Sequence, residues 1–170
     1  MGGVVIWKVL WDYHRKIENV LNRYTLGETQ LLRHILEEIE IYGALEEEVV
    51  FPGLAAVVSE SALETAQASL DRIKDLSVDI ENLNPGDPAE AKLVKQLARQ
   101  WHLHTGREET QFFPVIKTRL KDEGYVLARQ AFATRQELVA ARGGVAPPGQ
   151  YHIGLPHSGW TKQLVVGGGW

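Results

Sequence analysis

A histidine placed four residues before a glutamate, inside a run that reads as helix, has the spacing to hold a metal ion. His104 and Glu108 stand in that relation. At 1.5 Å of rise per residue they lie about 6 Å apart along one helical face, an imidazole one turn from a carboxylate. Nitrogen and oxygen donors of this kind suit first-row metals. The surrounding phrase occurs twice. Tyr42-Gly-Ala-Leu-Glu46-Glu47-Glu48-Val-Val-Phe51-Pro52 and His104-Thr-Gly-Arg-Glu108-Glu109-Thr-Gln-Phe-Phe113-Pro114 superimpose at an offset of 62 residues. Glu46 then falls on Glu108, Glu47 on Glu109, Phe51 on Phe113 and Pro52 on Pro114, and Tyr42 takes the place of His104. One such phrase is what a solvated helix face closed by an aromatic plug would also give. Two in phase point to a fold built on the repeat, and say less about a metal.

The elements that must carry these residues read as helices. Leu10, Tyr13, His14, Ile17, Val20, Leu21 and Tyr24 recur at steps of three and four, which predicts a first helix ending near residue 23. A second is expected over 28–50, broken by Pro52-Gly53, with most of its glutamates (37, 38, 40, 46, 47 and 48) facing water. A third is expected over 60–81, followed by the strong turn Asn84-Pro85-Gly86-Asp87-Pro88. The fourth is expected over 88–112, with Leu93, Leu97, Trp101, His104 and Glu108 inward, Pro114 ending or kinking it and a further helical segment continuing to about residue 121. Gly124 is expected to separate off a last helix over 125–142. Four long helices with short connections predict an all-α, up-down-up-down four-helix bundle with an extra C-terminal helix.

Composition divides the chain and excludes several functions. Residues 1–142 read as one helical domain; residues 143–170 form a Gly/Pro-rich tail that still carries Tyr151, Trp160 and Trp170, so a protein partner is one expectation for it. Net charge is −4 with no basic stripe, which argues against nucleic acid. With no cysteine there is neither a disulfide framework nor a thiolate site. The apolar run over residues 4–11 is short and interrupted by Lys8, so neither a membrane span nor a signal peptide is expected, and a cytoplasmic protein is the default. No phosphate-binding glycine loop or serine elbow is present, so hydrolase and nucleotide chemistry have no support. His34 and His102 read as surface or half-buried residues, Trp7, Trp11 and Trp101 as packing, and Gly43 and Gly106 as places of close helix approach or of access.

With the doubled Glu-Glu-x-x-x-Phe-Pro phrase, the His104/Glu108 pair and Asp12-Tyr13-His14-Arg15-Lys16-Ile17 in the first helix, the chain resembles the hemerythrin-like, HHE cation-binding family from about residue 7 to 120. The resemblance implies a non-haem di-iron site inside the bundle, with two bridging carboxylates. Carried over position by position, it makes His14, Glu46, His104 and Glu108 metal ligands and replaces a ligand histidine by Tyr42, which would ligate as a phenolate or fill space beside Glu46. In the third helix Gln67 and Leu63 stand where histidines would be expected, and leucine cannot ligate. The implied function is iron binding, di-iron or mononuclear, for sensing of oxygen, redox state or nitric oxide or for iron handling. A metal-free bundle acting as an interaction or regulatory module is the alternative, because the third helix brings no ligand. Whether the protein is an enzyme is left open by the sequence.

Overall fold

The computed structural model describes residues 4–141 of the 170-residue chain; the tail and what is expected of it lie outside the described residues. Six α-helices make up most of it: α1 (Ile6–Thr25), α2 (Leu32–Leu45), α3 (Phe51–Leu54), α4 (Glu60–Glu81), α5 (Glu90–Arg119) and α6 (Lys121–Ala141). A 3₁₀ turn, Thr29–Leu31, leads into α2, and a π-helical segment, Glu46–Val50, joins α2 to α3. α1, α2, α4 and α5 form the four-helix bundle, with α1 against α2 and α5, and α4 against α2 and α5. α6 lies across α1, α2 and α5.

Local chemistry accounts for the boundaries. Ser59 opens α4 by accepting a hydrogen bond from the Ala62 amide on its side chain, and the helix runs over the span its periodicity predicts. Gly86 takes φ +79 in the turn before α5, a conformation glycine adopts without steric cost. The two Phe-Pro phrases part company here. Pro52 does not break the second helical element: the chain widens, so that the Phe51 amide bonds the Glu46 carbonyl five residues back, and helix continues to Leu54. Pro114 does not end its helix either, since α5 runs through it to Arg119. Gly124 lies inside the first turn of α6 rather than before it; a Cβ there would meet Val5 Cγ2 at 2.8 Å, so this glycine lets α6 close on the start of α1.

The added helix also corrects the reading of the glutamates on α2. Glu37, Glu38, Glu40 and Glu46 are buried, Glu47 is half-buried, and Glu48 alone of the six is exposed. α2 is covered by α1 and α4 on the bundle side and by α6 outside, so it has no free face. Buried carboxylates need partners. Lys16 Nζ reaches Glu38 at 2.8 Å, and Arg33 Nε reaches Glu37 at 3.2 Å. Burial draws Lys16 down to about 7 despite the opposing pull of Glu38. Among the tryptophans, Trp101 is core and Trp7 packs against the core beside Phe113, but Trp11 is 39% exposed under the Lys8 ammonium. Gly106 faces open space, so it serves no close helix approach. His102 is exposed and His34 half-buried, as expected.

Candidate metal centre

His14 from α1, Tyr42 from α2, Glu46 from the π segment, and His104 and Glu108 from α5 converge in the bundle core, each with at most 1% of its surface exposed. Each is there because its helix presents it on the apolar stripe: His14 between Leu10 and Ile17, His104 one turn from Trp101. The π widening sits at Glu46, where it re-aims the side chains of that turn.

Two carboxylates and one hydroxyl join the set. Tyr42 Oη donates to Glu108 Oε2 at 2.6 Å and lies 2.8 Å from Glu46 Oε1. His14 Nε2 lies 2.9 Å from the same hydroxyl and 3.1 Å from Glu108 Oε2. On the other side, His104 Nε2 hydrogen-bonds Glu46 Oε2 at 2.9 Å and lies 3.7 Å from Glu108 Oε2. Glu46, His104 and Glu108 thereby form a group of ligand atoms all within 4.8 Å of one another. Glu108 Oε1 is buried and meets no N–H donor or tyrosine hydroxyl among the described residues, and the Glu46 and Glu108 carboxyl groups hydrogen-bond each other. An acceptor left over in an apolar core is costly unless a proton or a cation is nearby.

Electrostatics follow from this crowding. Burial, and then the charge of Glu108, push Glu46 well above the carboxylate range. Burial would raise Glu108 too, but the imidazoles of His104 and His14 and its hydrogen bonds hold it low. The pair therefore keeps one proton, on the Glu46 side. Burial lowers His104, which favours the neutral ring a metal requires. Burial and the two carboxylates raise the Tyr42 phenol well above 10, so it is a hydrogen-bond donor in the metal-free protein.

Sequence reasoning missed the support around His14. Its Nδ1 donates to Glu109 Oε1 at 2.9 Å, which turns Nε2 toward the centre. Arg15 holds the same Glu109 oxygen at 2.5 Å. Phe113 stacks on the His14 ring at 5.5 Å and 14°, and Trp101 meets it edge-on at 6.2 Å. Metal-ligating histidines commonly give their second ring N–H to a carboxylate in this way. The signal was in the repeat, as the second glutamate of the Glu-Glu pair. Gln67, by contrast, does not join the centre. Its amide nitrogen donates to Glu47 and Asp71, both at 2.9 Å, and Leu63 packs against the hydrophobic core.

The donor set fits a cation: imidazole and carboxylate groups converge in the core, and α4 brings none of them. No curated protein and no solved structure matches the chain. The model of the hemerythrin HHE cation-binding domain matches residues 5–116, the stretch from α1 through most of α5 that holds all five converging residues, and the chain belongs to that family.

Proposed function

We propose that the protein binds iron in the bundle core through Glu46, His104 and Glu108, with His14 and Tyr42 adjoining on the far side of Glu108. The observation that carries this reading is the buried group itself, two carboxylates and an imidazole within 4.8 Å of one another. Neutral imidazole and carboxylate are donors that iron accepts, as do zinc and manganese. Burial makes the uncompensated carboxylates costly, and a cation offsets that cost. When bound, iron supplies one-electron redox chemistry and coordination positions for a diatomic ligand. The residues of the chain orient the donors and keep bulk water out.

The role is sensing of oxygen, redox state or nitric oxide, or iron handling. No helix among the described residues is long and apolar enough to cross a membrane. The test is metal analysis and absorption spectroscopy of protein loaded with Fe(II) without oxygen and then exposed to air or nitric oxide. Bound iron with spectral changes specific to the gas supports the reading; no retained iron ends it.

A second reading is a metal-free bundle acting as an interaction module. It is favoured by α4, where Gln67 is engaged by Glu47 and Asp71. Under this reading residues 143–170 would carry the contact with a protein partner. Deleting them and measuring iron content separates the two: a metal protein keeps its iron, and an interaction module loses only its partner.

A further inference from the structure

The centre has two compartments, and they are not alike. Glu46 faces both: Oε2 meets His104 Nε2 at 2.9 Å, and Oε1 meets the Tyr42 hydroxyl at 2.8 Å. Glu108 Oε2 stands between them, 3.7 Å from His104 Nε2, 3.1 Å from His14 Nε2 and 2.6 Å from the hydroxyl. On the His104 side, one ligand atom each of Glu46, His104 and Glu108 lies within 4.8 Å of the others. On the His14 side, an imidazole nitrogen and two carboxylate oxygens also converge, but the point they converge on is the Tyr42 oxygen, within 2.6–2.9 Å of all three.

The phenol is fixed in that position. Its ring is met edge-on by Trp101 at 5.0 Å, by His14 at 5.6 Å and by His104 at 6.2 Å, and it lies tilted against Tyr13 at 5.8 Å. Tyr42 has no exposed surface and no solvent side to swing toward. A ring packed on all sides in a dense core does not move aside for a small ion.

We propose that the Tyr42 hydroxyl takes the place of a second cation: its close approach to His14 Nε2, Glu46 Oε1 and Glu108 Oε2 fills that compartment, and the chain holds one metal, on the His104 side. This rests on the metal-binding reading above. It makes Tyr42 a positioning residue for the carboxylates and not a metal ligand. The hydroxyl satisfies in the metal-free protein what a second cation would otherwise satisfy.

Two variants test this on the full-length chain, with Fe(II) under nitrogen as the probe and Zn(II) as a redox-silent check. The first measurement is metal per chain after dialysis. Wild type is expected to hold one ion, and Tyr42→His, which exchanges the hydroxyl for an imidazole donor, is expected to hold two. The second is the rise in melting temperature on metal addition for Tyr42→Phe. Loss of the hydroxyl leaves buried acceptors unpaired in the metal-free protein, so that rise should be larger than in wild type. A smaller rise, with a visible phenolate-to-iron(III) band in wild type that Tyr42→Phe bleaches, would make Tyr42 a ligand and overturn the proposal. Two ions in wild type, or one still in a folded Tyr42→His, would overturn it as well and leave metal binding standing. No ion in wild type would instead overturn the metal-binding reading and this inference with it. If Tyr42→His does not fold, the sign of the Tyr42→Phe effect decides.

Discussion

The two copies of the repeated phrase support their neighbours in the same way and reach different ends. In the second copy, Glu109 takes a hydrogen bond from His14 on α1 and an ion pair from Arg15 beside it. In the first copy, Glu47 takes a hydrogen bond from Gln67 on α4 and an ion pair from Lys74 one helical stretch further on. Each second glutamate is thus a half-buried acceptor shared by one polar side chain and one cation. What differs is the residue opposite. Histidine has two nitrogens, so giving Nδ1–H to Glu109 aims Nε2 inward. Glutamine has one amide nitrogen, and Glu47 and Asp71 both engage it on the outer side. The carboxylate that orients a facing side chain is present in both halves; a histidine faces it in one.

The sharpest way to break this comparison is at the residue both compartments share. Glu108→Ala removes the partner of His14, Tyr42 and His104 together and is expected to abolish iron retention. Removing one member of a buried network also costs about 3–5 kcal/mol of stability, to be read by denaturant titration. Next in size is the pair Glu109→Ala and Glu47→Ala. If Glu109 aims a histidine that borders the metal, its loss weakens iron binding roughly tenfold or more, and Glu109→Gln, which keeps an acceptor, restores part of it. Glu47→Ala should leave the affinity within about twofold and cost at most about 1 kcal/mol, since it removes partly exposed contacts. Equal effects from the two would remove the asymmetry. Gln67→His then asks whether Glu47 will orient a histidine when given one. Competition with a chromophoric chelator should show stronger iron retention, and no gain would mean that α4 is out of register with the centre.

The smallest expected effect is on pH dependence. Glu46 holds its proton well above the carboxylate range in the folded, metal-free protein. A group raised in this way stabilises the fold at low pH, and that contribution fades as pH rises through its folded value. Metal must displace the same proton, so apparent iron affinity should rise with pH across that interval. Titration calorimetry in buffers of different ionisation enthalpy would count the proton released, and Glu46→Gln should remove it.

Much of this was legible in the chain. The 3.6-residue stripes on α1, α4 and α5 have one face to bury, so their periodicity located the helices and placed His14, His104 and Glu108 inward. The family resemblance, resting in part on the offset repeat, brought Tyr42 and Glu46 to the same centre. α2 resisted that reading because α6 covers its outer face, so Glu37, Glu38 and Glu40 look like a solvated stripe and are in fact buried, Glu37 beside Arg33 and Glu38 beside Lys16. Pro52 misled for a related reason. Proline removes one hydrogen bond, but packing on both sides of a helix can hold the chain helical past it, by π widening at Pro52 and by simple continuation at Pro114. Glu109 was in view as half of a Glu-Glu pair, yet only the fold could set His14 against it from another helix.

The most direct test of the central claim is the thermal melt of the purified full-length protein, with and without stoichiometric Fe(II) under nitrogen, followed by chelator and metal analysis. A metal centre at Glu46, His104 and Glu108 predicts a rise in melting temperature that saturates at one iron per chain and that chelator reverses. A melt indifferent to both iron and chelator, with no metal retained, would contradict it.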